Sequence, residues 1–144
     1  MHENIFQKEY LCIVKGTLDK KSGIIDLPIA RKPGSIIERC IDTSGQPSRT
    51  IYEVVKEFQI NFQNDIHPLS LVKCKLETGR THQIRVHFSH IGHPLLGDTL
   101  YSNPSDLISR QALHSYMVSF IHPVTKKEQC FTCPLPNDMK KLLT

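Results

Sequence analysis

Residues 76–101, LETGRTHQIRVHFSHIGHPLLGDTLY, constrain the fold more than any other stretch of this chain. Ile84, Phe88 and Ile91 recur at i, i+4 and i+7, the spacing of one helix face, with His87 beside them. Thr78-Gly79 supplies a turn before this stripe. Gly92 supplies its C-terminal stop, and Pro94 bars continuation. The rest of the chain is patterned mainly for strands, so this is the one notable helix.

Residues 10–16 (YLCIVKG) alternate Tyr10, Cys12 and Val14 against Leu11, Ile13 and Lys15. Apolar residues on both faces predict a strand buried on both sides, hence central in a sheet. Such a strand so near the start points to partner strands that lie upstream or come from elsewhere. Further strands are predicted over residues 35–41, 50–58, 70–76, 113–121 and 126–133, with a short extended piece at 24–28 stopped by Pro28. Residues 61–68 read as a loop, 104–110 as a short helix and 138–143 as a closing helical turn. No repeat or linker divides the chain. The expected architecture is a single domain over residues 1–144, of α+β class, with a mostly antiparallel mixed sheet and a few helices.

Composition narrows the function classes. Thirty-nine per cent apolar residues suffice for a thin core. The balance of 18 basic and 14 acidic residues gives +4, which permits a nucleic-acid partner without demanding one. The five cysteines are odd in number and the first ten residues are polar, which reads as reduced thiols in a cytoplasmic protein. No apolar run approaches the ~18 residues of a membrane helix.

Several residue groups carry candidate chemistry. His82, Arg85 and Ser89 share a helix face opposite the apolar stripe, and Arg80 lies near the helix N-terminus. That face suits a phosphate or a carboxylate, although a solvated face is the simpler reading of the residues alone. Cys130-Phe-Thr-Cys133 has no second pair to complete a zinc site and falls in a strand, where its side chains point to opposite faces. The spacing of His82, His87, His90 and His93 is poor for a metal. Asp42-Thr-Ser-Gly45 lies in a turn. Nucleotide-binding glycine motifs and the G-x-S-x-G elbow are absent.

One run is far more specific. Gly79-Arg-Thr-His-Gln-Ile-Arg-Val-His87, then Ile91-Gly-His-Pro-Leu-Leu-Gly-Asp98 and Tyr101, resembles the signature of the RluA-type pseudouridine synthases. Lys8-Glu-Tyr10 with its following strand, Asp26-Leu-Pro-Ile29, Thr50-Ile-Tyr-Glu-Val-Val55, Gln111-Ala-Leu-His114 and Cys133-Pro-Leu-Pro136 fit the same pattern, with Cys12 where alanine is usual. The resemblance implies a pseudouridine synthase-like fold, no metal or organic cofactor, and isomerisation of uridine in ribosomal or transfer RNA. It implies catalytic roles for Tyr10, as general base, and for Arg85, as partner of a nucleophilic aspartate. It implies supporting or RNA-contacting roles for Arg80, Thr81, His82 and Gln83, and packing of Leu113 near the flipped base.

The family's nucleophile lies in an H-R-L-D segment upstream of the strand that carries Tyr10, and these 144 residues contain no such segment. The expectation is therefore the C-terminal portion of a catalytic domain, inactive alone, with Arg85 left as an unpaired cation. The alternative is an RNA-binding or regulatory remnant without catalysis. Exposed sheet edges would allow self-association.

Overall fold

The structure, a computed structural model, describes residues 6–144. In chain order it contains β1 (Phe6–Lys15), β2 (Ser22–Asp26), β3 (Ile29–Arg31), β4 (Arg39–Ile41), β5 (Arg49–Phe62), β6 (Asp65–Leu76), α1 (Gln83–His90), β7 (Leu113–Ile121), β8 (Glu128–Thr132) and α2 (Asn137–Lys140). Six strands form one sheet in the order β2-β5-β6-β1-β7-β8, and β3 pairs with β4 in a separate hairpin. Every pairing between these strands is antiparallel. This is the α+β, sheet-dominated architecture expected.

β1 lies inside the sheet, between β6 and β7, and Cys12, Ile13 and Val14 are all fully buried. Its alternation divides the core in two. Cys12 and Val14 face Val72, Cys74, Ile84, Phe88 and Leu95, so α1 packs on this side. Ile13 faces Leu69, Leu71, Ile108, Ala112 and Met139, which brings α2 to the other side. Burial of a side chain such as Phe88 contributes roughly 1.5–3 kcal/mol, and Tyr52 meets it edge-on at 5.8 Å. Cys12 and Cys74 touch within the first cluster, their sulfurs 3.9 Å apart, and both are free thiols.

Three local expectations are corrected. Residues 61–68 do not form a loop: β5 and β6 run on as a long hairpin, closed by Gln63 and Asn64, both at positive φ. Two central residues in the left-handed region make the tight turn whose twist suits a hairpin. Residues 104–110 are irregular rather than helical; Leu107 and Ile108 anchor them in the second cluster. Within residues 35–41 only Arg39–Ile41 is strand, since the preceding turn leaves Ile36 and Ile37 in solvent. No helix among the described residues is long and apolar enough to cross a membrane.

Candidate active site

After β6 the chain crosses through Thr78, Gly79 and Arg80 to α1, and a buried amide fixes that crossing. Gln83 Oε1 accepts from Thr78 Oγ1 (2.8 Å) and Arg80 N–H (3.1 Å). Its Nε2 donates to Arg49 O (2.8 Å) and Thr50 Oγ1 (3.0 Å). The four hydrogen-bonding positions of the amide are thereby filled, as burial requires. His87, fully buried, continues the network. Its Nε2 donates to Leu27 O (2.9 Å), so its Nδ1 accepts the hydroxyl hydrogen of Thr50 (2.8 Å).

His82 precedes the helix at φ 55° and ψ 23°. For a residue with a Cβ this left-handed conformation costs about 1–3 kcal/mol, and such strain clusters at functional sites. Tyr101 holds it: the hydroxyl oxygen accepts from Arg39 N–H (3.0 Å), and the same hydroxyl is hydrogen-bonded to His82 Nδ1 (2.7 Å). The face shared by His82, Arg85 and Ser89 is covered rather than solvated. Ser89 Oγ donates to Tyr101 O (3.2 Å), and the Arg85 guanidinium lies 5.1 Å from the Tyr101 ring centre.

The expectation that Arg85 would be an unpaired cation is also corrected. Its Nε donates to Asp98 Oδ2 and its Nη2 to Asp98 Oδ1, both at 2.8 Å. The loop after α1 makes this contact: Leu96 N–H donates to Ile13 O and Lys15 N–H to Pro94 O, each at 2.9 Å, docking residues 94–96 on β1. Asp98 also accepts from Leu100 N–H (3.1 Å) and Tyr101 N–H (3.2 Å). Burial alone would raise its carboxyl pKa; the bonds from Arg85, Tyr101 and Leu100 outweigh that and hold it below the usual carboxylate value. One edge of the guanidinium is thus engaged, and Nη1 has no partner among the described residues.

Tyr10 arrives from β1. Beside it the β1–β7 register shifts, between Glu9 and Tyr10, with Tyr116 of β7 as the extra residue. The Tyr10 hydroxyl has no hydrogen-bond partner among the described residues. Leu113 enters at the start of β7, opposite Cys12. Together Tyr10, Leu76, Arg80, His82, Gln83, Ile84, Arg85, Gln111 and Leu113 line a cavity of about 350 Å³. The structure thus gathers six of the seven residues singled out from the sequence. Thr81, exposed, faces a neighbouring cavity instead. Asp98 and Tyr101 were missed as site residues, although Gly97-Asp98 and Tyr101 stand in the motif run. No group of three histidine, cysteine or carboxylate side chains is placed to hold a metal among the described residues.

The site favours neutral histidines. Burial, then the charges of Arg85 and Arg39, lower the His82 pKa. Burial lowers that of His87 against the opposing bond to Leu27, and His90 adds to the fall. Groups with a depressed native pKa bind fewer protons folded than unfolded, so this contribution is complete above the unfolded value of about 6.5 and is lost as pH falls. Urea midpoints are expected to decline below about pH 6.5, and less so in His87→Gln. A flat profile there would contradict the neutral assignment.

The family model described as RNA pseudouridylate synthase matches residues 1–90. The chain belongs to the RNA pseudouridylate synthase family, as a member of RluA type. It is 46% identical over 139 residues to the "Uncharacterized RNA pseudouridine synthase YjbO" of Bacillus subtilis (strain 168), covering 96% of this chain and 46% of that protein. It is 37% identical over 152 residues to the "Ribosomal large subunit pseudouridine synthase D" of Nitrosomonas europaea, covering 99% of this chain and 42% of that protein. Among solved structures, "Human RNA Pseudouridylate Synthase Domain Containing 1" superposes with a TM-score of 0.78 at 28% identity, over 94% of this chain and 58% of that one. The chain therefore spans about half the length of the curated relatives it matches.

Proposed function

We propose that these 144 residues are the C-terminal portion of a pseudouridine synthase catalytic domain and supply the base-holding half of its site. The observation that supports this is the cavity uniting Tyr10, His82, Arg85 and Leu113 from β1, the α1 entrance, α1 and β7. A uridine flipped from its RNA enters there, because chemistry on a base requires it out of the stack. Its glycosidic C–N bond breaks, the base turns while held, and a C–C bond forms at C5 of the base. Tyr10 takes the C5 proton as general base. Leu113 packs against the base. Arg85, fixed from one side by Asp98, offers its Nη1 edge to an aspartate supplied outside these residues and keeps that carboxylate ionised.

His82 and Arg80 contact the RNA, while Gln83 supports the turn that carries them. The substrate is ribosomal or transfer RNA, and no cofactor is required. The five free thiols suit a reducing cytoplasm. The β8 edge, with Phe131 exposed, offers a surface for self-association.

Release of tritium from C5 of labelled uridine tests this reading. The chain alone is expected to release none. Joined to the H-R-L-D-bearing half of a relative, it is expected to turn over, and Tyr10→Phe should lower the rate by about 100-fold or more. Release by the chain alone, or full activity of the joined Tyr10→Phe protein, would refute the assignment. The absence of H-R-L-D from these residues favours a second reading, RNA binding without turnover. Salt-dependent binding by a chain that stays inactive after joining is its outcome.

A further inference from the structure

A second cavity, about 470 Å³, adjoins the first between the β3–β4 hairpin and the Gly79–Thr81 crossing. Arg31, Arg39 and Arg80 all line it, and no carboxylate does. Arg80 lines both cavities.

Arg31 and Arg39 are direct cross-strand partners. Directly opposed residues of an antiparallel pair share a face, and like charges placed so are destabilising. The hairpin that carries them has only three paired positions, Ile29 with Ile41, Ala30 with Cys40, and Arg31 with Arg39. So small a sheet has little stability to spare. Nearby carboxylates do not relieve the repulsion: Glu38 pairs with Lys32 (3.0 Å), and Asp42 accepts from Ser44 N–H (2.9 Å) and Oγ (2.8 Å).

Two of the three guanidinium groups are hydrogen-bonded to backbone carbonyls. Arg39 Nη1 donates to the carbonyls of Ile36, Ile37 and Glu38 at 3.2–3.3 Å. Arg80 Nε donates to Pro47 O at 3.1 Å. The remaining nitrogens of both groups, and all of Arg31, have no partner among the described residues. Gly45 closes the wall, since a Cβ there would stand 2.5 Å from the Ile29 carbonyl. A cavity lined by three arginines and no carboxylate, with two of the arginines opposed across a hairpin, is complementary to a bound anion.

We propose that this cavity holds a backbone phosphate of the nucleotide next to the one in the adjoining active-site cavity, so that Arg80 marks the path of a single strand between them. The proposal rests on the functional reading above for its RNA. A phosphate here carries no base identity; it sets the register in which a uridine reaches Tyr10.

The test is binding of a short fluorescent oligouridylate to the full chain, measured by anisotropy over a series of salt concentrations. Arg31→Gln is expected to reduce the magnitude of the slope of log affinity against log salt by about 0.7, the value for one phosphate contact on a single strand, and to weaken binding several-fold at low salt. Arg31→Lys should keep the wild-type slope. Thr81→Glu, on the opposite wall and outside the hairpin, should also weaken binding, which guards against a folding defect in the hairpin variant. Lys127→Gln, outside both cavities, should change nothing. A wild-type slope in Arg31→Gln, or an equal loss in Lys127→Gln, overturns this inference and leaves the functional reading standing. Absence of salt-dependent RNA binding by the wild-type chain overturns both.

Discussion

Asp98→Asn is expected to destabilise the chain by about 3–5 kcal/mol, because removing one partner of a buried ion pair strands the other. Asp98 is fully buried, and the Arg85 side chain is 12% exposed. The carboxylate accepts four hydrogen bonds, two from the guanidinium and two from backbone N–H groups. An asparagine would turn an amide N–H toward Arg85, donor against donor. Arg85 cannot easily swing to water, since Tyr101 lies against it.

Urea denaturation measures the loss. The double variant Arg85→Met with Asp98→Leu should recover part of it, because neither side then leaves a lone charge. The pH dependence follows from the depressed Asp98 pKa. Its contribution is present above the unfolded carboxylate value of about 3.9 and is lost as pH falls through the native one. Asp98→Asn should therefore flatten the acid limb of the stability profile. A loss under about 1 kcal/mol would show that the pair does not order this loop.

Gly97→Ala is expected to cost about 2–5 kcal/mol, for two reasons that add. Gly97 has φ +77°, which a side chain resists, and a Cβ would meet Arg110 O at 2.2 Å and Ile108 Cγ2 at 2.8 Å. Arg110 has little freedom to yield. Its Nε and Nη2 bind Asp138 at 2.9 Å, and its Nη1 donates to Gln111 O (2.9 Å) and Leu113 O (3.1 Å). Gly92 provides the comparison, with φ +89° and nothing within 4 Å of its Cβ position. Gly92→Ala should show the conformational cost alone, about 1–2 kcal/mol. Equal urea midpoints for the two variants would show that the contact with Arg110 is not limiting.

The centre of this fold was legible and its connections less so. β1 could be placed inside the sheet because Leu11 and Ile13 oppose Cys12 and Val14, a pattern only two covered faces explain. The helix was legible from Ile84 and Phe88, although Ile91 falls at its end and is 37% exposed. The hairpin at Gln63 and Asn64 was not, because neither is the glycine that usually announces a turn at positive φ. Residues 104–110 misled through local composition, since Leu107 and Ile108 answer to the second core cluster instead of to a helix.

The same division holds at the site. The motif run named His82 and Arg85, and the Lys8-Glu-Tyr10 segment named Tyr10, but the Arg85–Asp98 pair spans 13 positions and depends on a loop docked on β1. Tyr101 was visible as a motif residue; its link to Arg39, 62 positions away, was not. Long-range hydrogen bonds of this kind leave no periodicity to read.

The paired thiols of Cys12 and Cys74 have a consequence beyond packing. Contact with Cys12, together with burial, holds the Cys74 pKa well above its ordinary value, so the reactive thiolate is suppressed while β1 and β6 stay together. Cys130 and Cys133, by contrast, are exposed on the β8 side. With Cys40 half-buried between these extremes, the two pairs answer an alkylating reagent differently. One pair reacts at the surface of the native molecule, and the other keeps time with the opening of its innermost strands.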